Sequence, residues 1–170
     1  MKLRLARHED AQEIARIWHE GWGDGHRGNV PDALVVARTP ESFGVRARQR
    51  IADTVVATVE DAVAGFVMVV EDEVEQVYVA REHRGTYVAT ALLAEAERLV
   101  AANGHERAWL AVVAGNARAR RFYERNGWVD EGLFDHLAPS ETGPIVVPAH
   151  RYVKPNTLRL HEPSPNAHQS

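Results

Sequence analysis

Between Thr54 and Val79 the chain carries three strand-forming runs, Thr54–Val59, Ala62–Val70 and Glu73–Val79, separated only by the acidic pairs Glu60-Asp61 and Glu71-Asp72. β-branched residues fit an extended, half-buried backbone, and separators this short leave room only for tight reversals. Three successive antiparallel strands are the simplest reading. The hydrophobic period then changes. Ala89, Leu92, Leu93, Ala96, Leu99 and Val100 recur at spacings of three and four, and Asn103-Gly104 stops the stripe as a C-cap does. Residues 108–113 read as a buried strand, Asn116 can cap a helix bearing Ala119, Phe122 and Tyr123 on one face, and Asn126-Gly127 ends it. Residues 128–134 and 145–153 are two further strand candidates around a loop of Pro, Ser, Thr and Gly.

Upstream, Leu3 and Leu5 alternate with charges as a short strand does, and Ala11, Ile14, Ile17 and Trp18 follow at helical spacing. Residues 21–32 hold four glycines and a proline, which predicts an irregular loop. Thr39-Pro40-Glu41 has the chemistry of an N-cap, a first-turn proline and an acidic first turn, predicting a helix to about Arg50. The order β, α, α, β, β, β, α, β, α, β, β places the chain in the α/β (α+β) class, a mixed sheet covered on both faces.

With 170 residues, 45% of them apolar, one domain with a substantial core is expected. Its span is read as 1–158, with a polar, proline-bearing tail over 159–170. A formal charge of −4 gives no general attraction to nucleic acid or an anionic membrane surface. The absence of cysteine excludes disulfides, thiolate metal sites and a cysteine nucleophile. His26 beside Asp24 lacks a third ligand, so no metal is expected. No apolar run of roughly 18 residues occurs and the N-terminus has no apolar h-region, so a cytoplasmic protein without a membrane partner is the expectation.

Residues 77–89, Val-Tyr-Val-Ala-Arg-Glu-His-Arg-Gly-Thr-Tyr-Val-Ala, pass from a strand-like run through an Arg-Gly turn into the helical stripe. Such a turn can aim successive N–H groups at a phosphate. It resembles the acyl-CoA pyrophosphate loop of the GCN5-related N-acetyltransferases (GNAT), with Arg84 and Ala89 in place and Tyr87 where the middle glycine of the pattern belongs. Residues 116–128, from Asn116 through Phe122-Tyr123 to Gly127-Trp128, resemble the last helix of the same family, in the right order and at the right separation. The resemblance covers about residue 2 to about residue 155. It implies the acyl-CoA N-acyltransferase fold, a mostly antiparallel sheet of about seven strands, with acetyl-CoA as cosubstrate.

Carried over residue by residue, the resemblance assigns cofactor contacts to Val77, Val79, Arg84, Gly85, Thr86, Tyr87, Val88, Ala89, Thr90 and Asn116, and to Arg121 for the adenosine phosphate. Tyr123 would protonate the leaving thiolate, and Glu75 or Glu73 would take the ammonium proton. Two apart on one strand, these glutamates are expected on the same sheet face as Val77 and Val79. Trp22, Asp24 and His26 would line the acceptor pocket. The acceptor would be a primary amine of a small molecule or peptide, and a homodimer is the assembly the family suggests. The alternative is a binding or interaction module on the same fold. Tyrosine adds bulk where glycine lets backbone approach the pyrophosphate, which weakens or abolishes CoA binding unless Tyr87 takes helical angles and turns its ring away.

Overall fold

The computed structural model describes residues 1–155; the expected tail over 159–170 lies outside the described residues. Its elements run β1 (Lys2–Leu5), α1 (Ala11–His26), α2 (Asp32–Ala37), α3 (Pro40–Gln49), β2 (Thr54–Val59), β3 (Ala62–Val70), β4 (Glu73–Val79), α4 (Val88–Ala102), β5 (Arg107–Val113), α5 (Ala117–Arg125), β6 (Val129–Ala138) and β7 (Ile145–Pro155). The three central strands fall where their composition predicts them. One seven-stranded sheet has the order β1-β2-β3-β4-β5-β7-β6, antiparallel at every junction except β4/β5.

Two cores flank this sheet. On one face α4 presents Leu92, Leu93, Ala96 and Val100 to inward valines of β2 to β5, with Trp128 and Tyr152 alongside. On the other, Ile14, Ile17 and Trp18 of α1 and Phe43 of α3 meet Val56, Phe66 and Met68. Caps set the helix limits as expected: Thr39 Oγ1 accepts from the Ser42 N–H at 3.2 Å, and Asn116 Oδ1 accepts from the Ala119 N–H at 3.2 Å.

The loop expected over 21–32 is corrected by the structure, because α1 continues to His26 and α2 follows at Asp32. The glycines serve packing rather than flexibility. A Cβ on Gly21 would stand 2.4 Å from Tyr78 Cδ1, and one on Gly25 would stand 2.6 Å from Asn116 Nδ2. Set one helical turn apart, they let α1 approach β4 and the start of α5 more closely than side chains allow.

A second correction concerns the face of the two glutamates. The β3–β4 register passes from Met68↔Gln76 to Val69↔Val74, leaving Glu75 as an extra, bulged residue. The alternation is thereby reset. Val74, Val77 and Val79 pack toward α4, whereas Tyr78 belongs to the opposite core. Glu73 and Glu75 therefore share the α1/α3 side with Tyr78, and Glu75 reaches Arg50 at the end of α3 at 3.1 Å.

Candidate active site

The parallel junction of β4 and β5 opens almost at once. Glu73↔Trp109 is its single ladder pair, fastened by the Trp109 N–H to the Asp72 carbonyl at 3.0 Å and Trp109 Nε1 to Asp72 Oδ1 at 3.2 Å. Past it, the β5-facing N–H and C=O groups of β4 have no ladder partner among the described residues. A cavity of about 1310 Å³ enters there, lined by residues 73–78 of β4, 110–113 of β5 and the inner side of α1 to α3. That is ample for a small acceptor beside an extended thioester arm.

Glu73, Glu75 and Tyr123 all line this cavity. Burial, then the neighbouring Glu75 and Asp72 carboxylates, push the Glu73 carboxyl up to about 7. A carboxylate poised there is basic enough to take a proton near neutrality. Glu75 is instead held by its ion pair with Arg50. The Tyr123 ring sits among Phe122, Trp128 and Tyr152 at centroid distances of 5.3, 6.1 and 6.1 Å. Burial drives its phenol well above the ordinary tyrosine value, so the hydroxyl stays protonated and available as a donor.

Trp22 and His26 also line the cavity, stacked at 4.7 Å and 8°. His26 Nδ1 lies 3.0 Å from the Trp22 carbonyl, which can only accept, so the proton sits on Nδ1. Burial, partly offset by that hydrogen bond, and the cations around it hold the ring neutral, with a pKa of about 4. Asp24 stands elsewhere. It is exposed on α1 and binds Arg81 at 3.0 Å and Arg84 at 2.7 Å, which hold its carboxyl down at about 2.

In the turn after β4, Gly85 has φ +76° and open space where a Cβ would project. Tyr87 has φ −72° and ψ −9° as the N-cap of α4, with its side chain outside and 69% exposed. The positive φ that glycine is needed for thus falls on Gly85, not on Tyr87. The Ala91 N–H bonds back to the Tyr87 carbonyl, so those of Ala89 and Thr90 lie in the first helical turn, where the helix provides no acceptor. The Thr86 hydroxyl donates to the His83 carbonyl. Val88 is buried; Val77 and Val79 pack toward α4, and Val77 also lines the cavity. Asn116 lines the cavity while capping α5, and Arg121 is exposed on α5. Its neighbour Arg120 is committed to Tyr152 and Asp130, at 3.2 Å each.

Sequence reading missed Tyr78, Arg38, Arg46, Arg50 and His136, all of which line the cavity. Tyr78 was accessible as the residue alternating between Val77 and Val79. Nothing in the local sequence marks Arg38 or Arg46, because their place depends on how α2 and α3 pack. Among the described residues no cluster of side chains suits a metal ion, and no helix is long and apolar enough to cross a membrane.

The GNAT acetyltransferase family model matches residues 12–128. No curated protein sequence matches this chain. Among solved structures, a GCN5-related N-acetyltransferase from Rhodopseudomonas palustris superposes with a TM-score of 0.70 at 20% identity, covering 91% of this chain and 94% of that one. A PaiA N-acetyltransferase from Thermoplasma acidophilum in complex with coenzyme A gives 0.67 at 17% identity, over 91% and 98%. YncA from Salmonella typhimurium, a putative acetyltransferase with its cofactor acetyl-CoA, gives 0.68 at 15% identity, over 99% of both chains. These likenesses establish the acyl-CoA N-acyltransferase fold.

Proposed function

Because the chain belongs to the GNAT acetyltransferase family, we propose that it transfers an acetyl group from acetyl-CoA to a primary amine directly, within a ternary complex. One observation carries this reading: a carboxyl raised to about 7 and a phenol kept protonated line the same cavity, where β4 and β5 part. The turn beside it fits the cofactor's pyrophosphate. Its glycine is the residue at positive φ, and the first turn of α4 offers N–H groups without helical acceptors. Arg84 supplies a nearby guanidinium, paired with Asp24 until an anion competes for it.

When bound, acetyl-CoA provides a thioester carbon open to attack by a neutral amine. Glu73 takes the ammonium proton on a carboxylate oxygen, and the unpaired N–H groups of β4 past Glu73 polarise the carbonyl being attacked. As the C–N bond forms and the C–S bond breaks, Tyr123 gives its hydroxyl proton to sulfur. Glu73 then loses its proton to solvent, and the second proton of the attacking nitrogen, shed as the tetrahedral adduct collapses to the amide, restores the phenol. The exposed ring of Tyr87 leaves the turn clear, which supports an enzyme over a binding module.

Calorimetric titration with acetyl-CoA, followed by an amine panel read by released CoA thiol, tests the proposal. Saturable heat and amine-dependent thiol release are expected. No heat at millimolar acetyl-CoA overturns it.

A further inference from the structure

We propose that the acceptor amine also bears a carboxylate, and that Arg38 and Arg46 bind it at the α1/α2/α3 end of the cavity. This rests on the acetyltransferase reading and names its substrate class: amino acids rather than polyamines or aminoglycosides.

Arg38 caps the C-terminus of α2, is only 8% exposed, and its Nε has no hydrogen-bond partner among the described residues. The Nη1 of Arg46 on α3 is buried and equally unpartnered, while its guanidinium lies 4.4 Å over the Trp18 ring. Stacking fixes the plane of that group but leaves its donors unused. Among the described residues neither arginine forms an ion pair, although exposed Arg16, Arg81, Arg98 and Arg107 all meet carboxylates. Guanidiniums largely removed from water without an anion destabilise the fold, because nothing offsets their lost hydration. Such a cost is reasonable where a ligand's anion completes the site.

The surroundings support that assignment. His26 and His136 share this region, and burial, the largest cause for each ring, lowers both pKa values, that of His26 to about 4, so the positive charge at this end comes from the arginines. Glu73 and Glu75 lie on the β4 wall of the same cavity. The cavity is thus bipolar, with carboxylates for the ammonium and a pair of guanidiniums for an anion, which matches a zwitterion. A polycation meets repulsion from both arginines.

The test compares the twenty protein L-amino acids with their carboxamides, alongside taurine, O-phosphoethanolamine, spermidine and kanamycin, by thiol release and product mass. At least one amino acid is expected to exceed its amide in kcat/KM by about tenfold or more, mainly through KM, since a charged hydrogen bond is lost in the amide. Arg38→Met and Arg46→Met should each move that ratio toward unity, and Arg38→Lys should retain part of it. A readout independent of turnover is NMR of the arginine Nε–H groups, titrated with the best amino acid without acetyl-CoA. Two buried resonances should shift in wild type. Equal use of acid and amide, ratios unchanged in both Met variants, or preference for the sulfonate, phosphate or polycations overturns the carboxylate site while leaving acetyl transfer intact. Transfer to no amine at all defeats both readings. Should Arg38→Met fail to fold, the acid/amide ratio in wild type and the Arg46→Met variant still decide.

Discussion

Gly85 to Thr90 form the turn that leads from β4 into α4, whereas the helical wall of the cavity draws Trp22 from α1, Arg38 from the end of α2 and Arg46 from α3. The turn is contiguous in sequence and its proposed role is one for backbone N–H groups, so a glycine and a helix start define it almost completely. The wall is assembled from three helices, and its proposed role is one for side chains. Its geometry depends on two glycines that set how closely α1 lies on the sheet. One region can be recognised from a string of residues; the other exists only once distant segments have packed. Asp24 joins them, reaching from α1 to Arg81 and Arg84 beside the turn.

The largest effect is expected at the chemistry shared by both regions. Tyr123→Phe should lower kcat by about 10²- to 10⁴-fold while acetyl-CoA affinity stays within about twofold, read by steady-state kinetics and calorimetry. Unaltered turnover removes Tyr123 from the mechanism. Glu73→Gln should lower kcat/KM by about 10²-fold, with a smaller loss for Glu75→Gln, whose carboxylate is already held by Arg50.

Glu73 also has a pH signature. Its carboxylate is the active form, so wild-type kcat/KM should climb with pH and level off above about 7, a limb that Glu73→Gln abolishes. Stability moves the other way. With the folded value above the ordinary value of 4.5, the unfolded chain binds fewer protons between them, and stability falls as pH rises from about 4.5 to about 7. A urea series across that range should show the slope in wild type and lose it in Glu73→Gln.

Gly21→Ala tests the packed wall. Its Cβ would press on Tyr78, costing about 1–3 kcal/mol of overpacking against about 1 kcal/mol gained in helix propensity. A net loss in urea unfolding is expected, together with a raised acceptor KM, because Tyr78 lines the cavity. Stabilisation with unchanged KM breaks the argument that these glycines position the wall. The smallest effect belongs to the turn. Tyr87→Gly should change the acetyl-CoA Kd by less than about threefold, since the tyrosine already has helical angles and an exposed ring. A tenfold gain in affinity makes Tyr87 an obstruction after all.

Legibility followed the same division. Strands β2, β3 and β4, the stripe of α4 and the caps at Thr39 and Asn116 were all readable, since each rests on period or on one side chain meeting a nearby N–H. Residues 21–32 read as a loop because glycine frees the backbone, while here Gly21 and Gly25 answer a demand for space from Tyr78 and Asn116. Their spacing of four, continuing the Trp18 and Trp22 face, is the signal that could have extended α1. The bulge at Glu75 left no local mark, yet it moved both glutamates to the opposite face from the one alternation predicts.

From residue order alone came the strand and helix periods, the Arg-Gly turn proposed for the pyrophosphate and the pairing of that turn with the Asn116 to Trp128 helix, all properties of short contiguous segments. Tertiary structure alone decided that Glu73 shares a cavity with Tyr123, that Glu75 is held by Arg50, and that Arg38 Nε and Arg46 Nη1 are buried with no partner among the described residues. Each of these is a matter of desolvation and distance between segments far apart in the chain. Neither quantity exists until the helices close on the sheet.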